Sequence, residues 1–272
     1  MLFVLPLALL AAVILVVYPN DFALQSHVSG YICQNSAGGG HRHVDVVRVA
    51  PDLRLLIGVL TLPDLYERRN LLRTVYALQQ PNLTAARIDV RFFFCRLASE
   101  EQRVLVALEA MRYGDVVELD CQENMDRGKT DAYFSSVAAL FGDAAYDFVM
   151  KADDDTFFRL PQLADSLRRA PREDLYYGCR WIVAAADQIR NRTVGPEDRT
   201  LRRWFGLAGK AKNWVDAKPA MYDFPQIRDA CAHELVPDTI AVHKLKTNER
   251  WYTTLKYFNF TAGLQPSKLY RN

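Results

Sequence analysis

A short apolar run, Tyr146-Asp147-Phe148-Val149-Met150, passes through Lys151-Ala152 into three consecutive aspartates, Asp153, Asp154 and Asp155. It then resumes as Thr156-Phe157-Phe158. The β-branched and aromatic content predicts a buried strand. Three adjacent carboxylates repel one another, so a folded chain tolerates them in water or around a cation. Alternate side chains of an extended segment share a face, so Asp153 and Asp155 point together and Asp154 points away. Two carboxylates at the mouth of a strand suit a hard divalent ion, Mn²⁺ or Mg²⁺, whose shell is completed by water and substrate phosphates. The competing reading is a solvated acidic turn. Apolar residues on both sides favour the metal site.

The preceding chain alternates between two periods. Leu53 to Thr61 is almost continuously apolar, the pattern of a strand buried on both faces. After Pro63-Asp64 the spacing predicts a helix with Leu71, Leu72, Val75 and Leu78 on one side and Arg68, Arg69 and Arg73 on the other. Ile88 to Cys95 reads as a second strand. Ser99-Glu100-Glu101-Gln102 reads as a capping box opening a helix through Val104, Leu105, Leu108 and Met111. A third strand is predicted at Val116 to Leu119, and a helix over Lys129 to Phe141 leads into the acidic strand. Beyond it come a helix over Leu160 to Arg169, a strand at Leu175 to Gly178, and a strand-like Asp238 to His243. Such alternation predicts an α/β fold with a mainly parallel sheet and helices on both faces. Ligands of such sheets bind beyond the carboxyl ends of the strands, where Thr61 and the aspartates lie. No glycine-rich phosphate loop is present, which argues against P-loop and dinucleotide-binding chemistry.

A formal net charge of +2 over 272 residues gives no electrostatic reason to expect a nucleic-acid partner. Residues 1–18 carry an unbroken apolar run from Leu2 to Tyr18. It can be read as a cleaved signal, a signal anchor or a buried helix. The missing basic n-region and cleavage site favour an uncleaved membrane anchor. Residues 19–50, with Gly38-Gly39-Gly40, read as a stem in which His41 and His43 belong to a solvated linker, and residues 51–272 as the folded domain. Sequons at Asn82, Asn191 and Asn259 agree with a lumenal setting. Five cysteines, at 33, 95, 121, 179 and 231, show no zinc spacing. They allow up to two disulfides, whose pairing the spacing does not reveal.

Five ordered segments carry a resemblance. They are Arg68-Arg69 with Arg73-Thr74 after the first strand, Tyr113-Gly114-Asp115-Val116-Val117, Lys129-Thr130, Val149 to Asp155, and Glu197-Asp198 followed late by Val242-His243. From about Leu53 to Asn259 the chain resembles glycosyltransferase family 31, the β-1,3-galactosyltransferase and N-acetylglucosaminyltransferase group, and in it the plant-type members. The resemblance implies a GT-A fold and single-pass type II topology in the Golgi membrane, with the catalytic domain in the lumen. It also implies inverting transfer of galactose or N-acetylglucosamine from a UDP-sugar to a glycan or glycoprotein hydroxyl, in β-1,3 linkage.

On the same resemblance Asp155 and His243 hold Mn²⁺ (or Mg²⁺), with Asp153 near the metal or the uridine ribose, and Asp198 is the general base. Asp153 and Asp154, with Arg73 and Lys129 as cations, make up the donor side. Read without the family, Arg73 and Lys129 are solvated helix residues, His243 is a core or surface histidine, and Glu197-Asp198 is an acidic pair at a helix start. The chain departs from the family pattern after Gly178, where Tyr177-Gly178-Cys179-Arg180 runs directly into Trp181-Ile182-Val183. This reads as an internal deletion on the acceptor side. The alternative function is therefore a catalytically impaired UDP-sugar-binding or partner protein. A lumenal two-metal phosphohydrolase is a third reading, disfavoured because no further Asp/Glu/His cluster stands at a strand end.

Overall fold

A computed structural model describes residues 50–142, 145–178, 209–227, 231–260 and 262. The central strand β1 (Leu53–Leu60) pairs in parallel with β2 (Ala86–Phe94) on one side and β4 (Phe148–Asp153) on the other. β3 (Val116–Glu118) extends the sheet beyond β2, giving the order β3-β2-β1-β4. Strand β1 is buried on both faces, as its apolar run predicts. Leu53, Leu55, Ile57 and Val59 join the larger core, while Leu56 and Leu60 face a smaller one with Phe93, Tyr133 and Val137. Gly58 is required in this strand because a Cβ there would sit 2.2 Å from the buried Tyr133 ring.

The covering helices follow from the sequence periods. Helix α1 (Tyr66–Ala77) and α4 (Leu160–Arg168) supply Leu72, Val75, Leu163 and Leu167 to the larger core, and α5 (Asn248–Tyr257) adds Trp251. Helix α3 (Thr130–Phe141) covers the other face through Tyr133 and Val137 and is preceded by a π-helical turn, Met125–Lys129. Helix α2 (Glu100–Tyr113) starts as predicted, with Ser99 Oγ accepting from Gln102 N at 3.1 Å, and ends at Gly114 with φ 62°.

Its orientation corrects the apolar reading. Val106 and Glu109 are the residues it buries, while Val104, Leu105, Leu108 and Met111 are 52%, 59%, 59% and 82% exposed. The supposedly polar side of α1 is corrected likewise, because Arg69 is fully buried. Ion pairing between Arg69 and Glu109 turns both helices toward one another on their charged sides.

Two smaller sheets complete the described fold. In one, β9 (Ala241–His243) lies between β5 (Phe157–Phe158), antiparallel, and β8 (Met221–Asp223), parallel. In the other, β6 (Leu175–Gly178) pairs in parallel with β7 (Asn213–Asp216). Cys95 and Cys121 form a disulfide joining the ends of β2 and β3, and Cys231 is a buried free thiol. These facts fit a GT-A-like α/β architecture. No helix among the described residues is long and apolar enough to cross a membrane. The predicted anchor at 1–18 and almost all of the stem lie outside the described residues.

Candidate metal and active site

Register alone assembles the site. Parallel pairing sets Leu60 of β1 opposite Asp153 of β4, so the residues that follow, Thr61 and Asp154, are neighbours at the carboxyl edge of the sheet. Thr61 Oγ1 donates to Asp154 Oδ2 at 2.7 Å. Asp154 therefore turns toward β1, while Asp153 and Asp155 turn together toward β9, the alternation an extended segment imposes. Strand β9 is the hinge of the arrangement. Its pairing with β5 brings His243 beside Asp155, and its pairing with β8 sets His243 opposite Asp223. A backbone hydrogen bond from Leu245 N to Asp155 O, 2.9 Å, locks the two segments.

His243 Nε2 stands 3.2 Å from Asp155 Oδ1 and 3.3 Å from Asp153 Oδ2. Ligand atoms of Asp153, Asp155 and His243 all lie within 4.8 Å of one another. Asp153 Oδ1 faces Lys151 Nζ at 2.9 Å, and both this oxygen and Asp155 Oδ1 are buried without an aligned hydrogen bond. Carboxylate oxygens in that condition fit a hard cation. One imidazole and two carboxylates are a donor set that Mn²⁺ accepts.

Behind the histidine stands a residue that sequence reading overlooked. Asp223, 5% exposed, accepts from His243 Nδ1 at 2.8 Å and pairs with Lys244 Nζ at 2.9 Å. A carboxylate on the far nitrogen of a ligating histidine fixes its tautomer and ring orientation. The available signal was an aspartate inside the apolar run Met221-Tyr222-Asp223-Phe224, where an ionised group needs a partner.

Electrostatics separate the three adjacent aspartates. Burial opposes ionisation of Asp153, but His243 and Lys151 outweigh it and hold its carboxyl well below the usual range. Asp154 moves the other way, raised by burial and by the charge of Asp155 against the Thr61 hydrogen bond. Burial pushes the His243 pKa down, and the carboxylates of Asp153, Asp155 and Asp223 around the ring outweigh it, carrying it up to about 11. Asp223 is held at about 2, burial being overcome by His243 and Lys244. The imidazolium proton would leave Nε2 when a metal ion binds there, because a ligating histidine is neutral.

The two expected donor-side cations are engaged inside the fold. Lys129 is 1% exposed, and its Nζ donates to Thr61 O at 2.6 Å and pairs with Glu123, which also accepts from Cys95 N at 2.8 Å. Arg73 pairs with Asp115 (2.7 Å) and Glu109 (2.5 Å) and lies over the rings of Phe92 and Tyr113. Arg69 beside it donates to the carbonyls of Leu62 and Pro63, fastening the loop after β1. Arg68 reaches across to Leu245 O (2.8 Å) and Lys246 O (3.1 Å), holding the loop that follows His243. Asn82 and Asn259 are exposed, whereas Asp198, Asn191 and the departure after Gly178 lie outside the described residues.

Comparison with known proteins agrees with this geometry. The beta-1,3-galactosyltransferase pvg3 of Schizosaccharomyces pombe is 25% identical over 75% of this chain and 74% of its own length. Hydroxyproline O-galactosyltransferase GALT5 of Arabidopsis thaliana is 28% identical over 50% of this chain, and beta-1,3-galactosyltransferase 6 of Mus musculus is 30% identical over 46%. The chain spans only 21% and 39% of those two longer relatives. The galactosyltransferase family model matches residues 67–202, half of the chain, a stretch that runs from α1 through the three aspartates to Asp198. With Asp153, Asp154 and Asp155 at the sheet edge and that match around them, the chain belongs to the galactosyltransferase family.

Proposed function

We propose that this chain transfers galactose from UDP-galactose to a hydroxyl of a glycan or glycoprotein, with inversion and in β-1,3 linkage, using a divalent ion. The observation that carries the reading is the convergence of Asp153, Asp155 and His243 beyond the carboxyl edge of a parallel sheet. The names of the relatives, all galactosyltransferases, favour galactose over N-acetylglucosamine.

Asp153, Asp155 and His243 would hold Mn²⁺ or Mg²⁺, and Asp223 would keep the imidazole aimed. Bound there, the ion supplies Lewis-acid neutralisation of the charge that develops on the departing diphosphate. Thr61, fixed by Lys129 through its carbonyl, holds Asp154 at the donor edge. Lys129 serves the donor side at one remove, by holding the Thr61 carbonyl, while Arg73 ties α1 to Glu109 and Asp115. Asp198 takes the proton from the acceptor hydroxyl as that oxygen attacks the anomeric carbon, on the face opposite the diphosphate. A single displacement inverts that centre.

The disulfide Cys95–Cys121 supports an oxidising compartment, consistent with a lumenal domain of a Golgi type II protein carried by an anchor at 1–18. The departure after Gly178 favours one second reading, a UDP-sugar-binding protein without transfer.

Galactose transfer and UDP release should be followed on the purified full chain with and without EDTA. Activity lost with EDTA and restored by Mn²⁺ is expected. Metal-independent turnover would sink the metal mechanism, and Mn²⁺-dependent UDP binding without transfer to any hydroxyl acceptor would establish the second reading.

A further inference from the structure

Helix α2 presents to solvent a face that no element of the described fold covers. Val104, Leu105, Leu108 and Met111 follow the helical period along one side, at 52%, 59%, 59% and 82% exposure, and Ala107 beside them is also exposed. Single exposed apolar residues are ordinary, but four large ones in a contiguous stripe mark an interaction surface. The stripe has charged ends of opposite sign. Glu101 lies on the same side in the first turn and Arg112 in the last, both exposed.

That distribution is complementary to itself. Two copies of α2 related by a two-fold axis run antiparallel, which sets each Glu101 against the other copy's Arg112 at both ends. The same axis, midway between residues 101 and 112, falls midway between Leu105 and Leu108. The apolar side chains therefore meet at the centre, and the ion pairs, ~16 Å apart along the axis, close the rim. A parallel pair would instead place Glu101 on Glu101 and Arg112 on Arg112. Glu109 and Val106, on the opposite side of the helix, stay with their own fold.

We propose that this face of α2 is the contact surface of a homodimer, with the two helices antiparallel. The dimer leaves the aspartate site of each copy complete, because none of its ligands comes from α2. A stripe of four large side chains on one 14-residue helix buries less than the roughly 1,200–2,000 Å² of a stable complex. The association is therefore weak and reversible.

Sedimentation velocity of the purified full chain across the micromolar range tests it. Reversible dimerisation is expected, weakened at least ~10-fold by Leu108→Glu or Met111→Glu with an unchanged thermal melt, since both positions are exposed. The charge exchange is the sharper arm and leaves the apolar stripe intact. Glu101→Arg and Arg112→Glu should each weaken association, and the combined variant should regain it. A monomer at every concentration overturns the proposal, as does a dimer insensitive to these changes or a combined variant no better than the single ones. A monomer whose melt falls in Leu108→Glu would instead mean that another segment of the same chain covers the face. A monomer that sediments with phosphatidylcholine vesicles through the stripe would mean a lipid surface; either result also overturns it.

Discussion

Two charge clusters in this fold are built on different principles. In one, the guanidiniums of Arg69 and Arg73 meet the carboxylates of Glu109 and Asp115, with Arg69 and Glu109 side chains only 1% and 2% exposed. Charge cancels there, and the remaining donors of Arg69 reach the carbonyls of Leu62 and Pro63. In the other, Asp153, Asp155 and Asp223 face two lysines and one histidine. Charge does not cancel among the carboxylates and lysines, and two buried carboxylate oxygens lack an aligned hydrogen bond. A balanced cluster is finished and serves as scaffold, whereas an unbalanced one is completed by something that binds.

The largest expected effect falls on the balanced cluster. Glu109→Ala leaves Arg69 buried without its counter-charge and should reduce unfolding free energy by about 3–5 kcal/mol, read by denaturant titration. A change under ~1 kcal/mol would show that the network is not scaffold. The same residue gives the acid limb of stability. Burial raises the Glu109 pKa, but Arg69 and Arg73 outweigh it and bring it below its ordinary 4.5. Its contribution is thus present above pH 4.5 and is lost as the pH falls through the lower folded value. Denaturant midpoints measured downward from neutral pH should drop in the native chain and drop less steeply in Glu109→Gln.

On the unbalanced side, Asp155→Ala should lower galactose transfer at least ~100-fold, about 2.7 kcal/mol in transition-state stabilisation, while the thermal melt without metal is held or raised. Asp223→Asn keeps shape and removes the charge behind His243. Mn²⁺ affinity followed by electron paramagnetic resonance should weaken about 10-fold, and Asp223→Glu should recover part of it. An unchanged affinity would remove Asp223 from the site. Thr61→Val should produce the smallest effect, about 1 kcal/mol of stability in thermal denaturation, from loss of the hydroxyl that holds Asp154.

Much of the sheet was legible because apolar runs have only one home in an α/β fold. Leu175–Gly178 and Leu160–Arg168 fall where their patterns place them, the latter one residue short of expectation. The alternate facing of Asp153 and Asp155 was legible for the same local reason. Helix faces were less so. Leu105, Leu108 and Met111 carry the pattern of a buried side, yet α2 turns it outward because a fully engaged Glu109 anchors the helix from the other side.

By itself the chain's sequence determined the order of strands and helices, the acidic strand end and its division into two carboxylates that point together and one that points away. Those properties depend on periods of two and 3.6 residues, which are local. Only the tertiary structure decided that Asp223 stands behind His243, 20 positions away in sequence, that Cys95 pairs with Cys121, and that Arg73 and Lys129 point inward. Each of these depends on pairing between distant segments, where the identity of the partner, rather than the residue's own polarity, sets whether a charge can be buried.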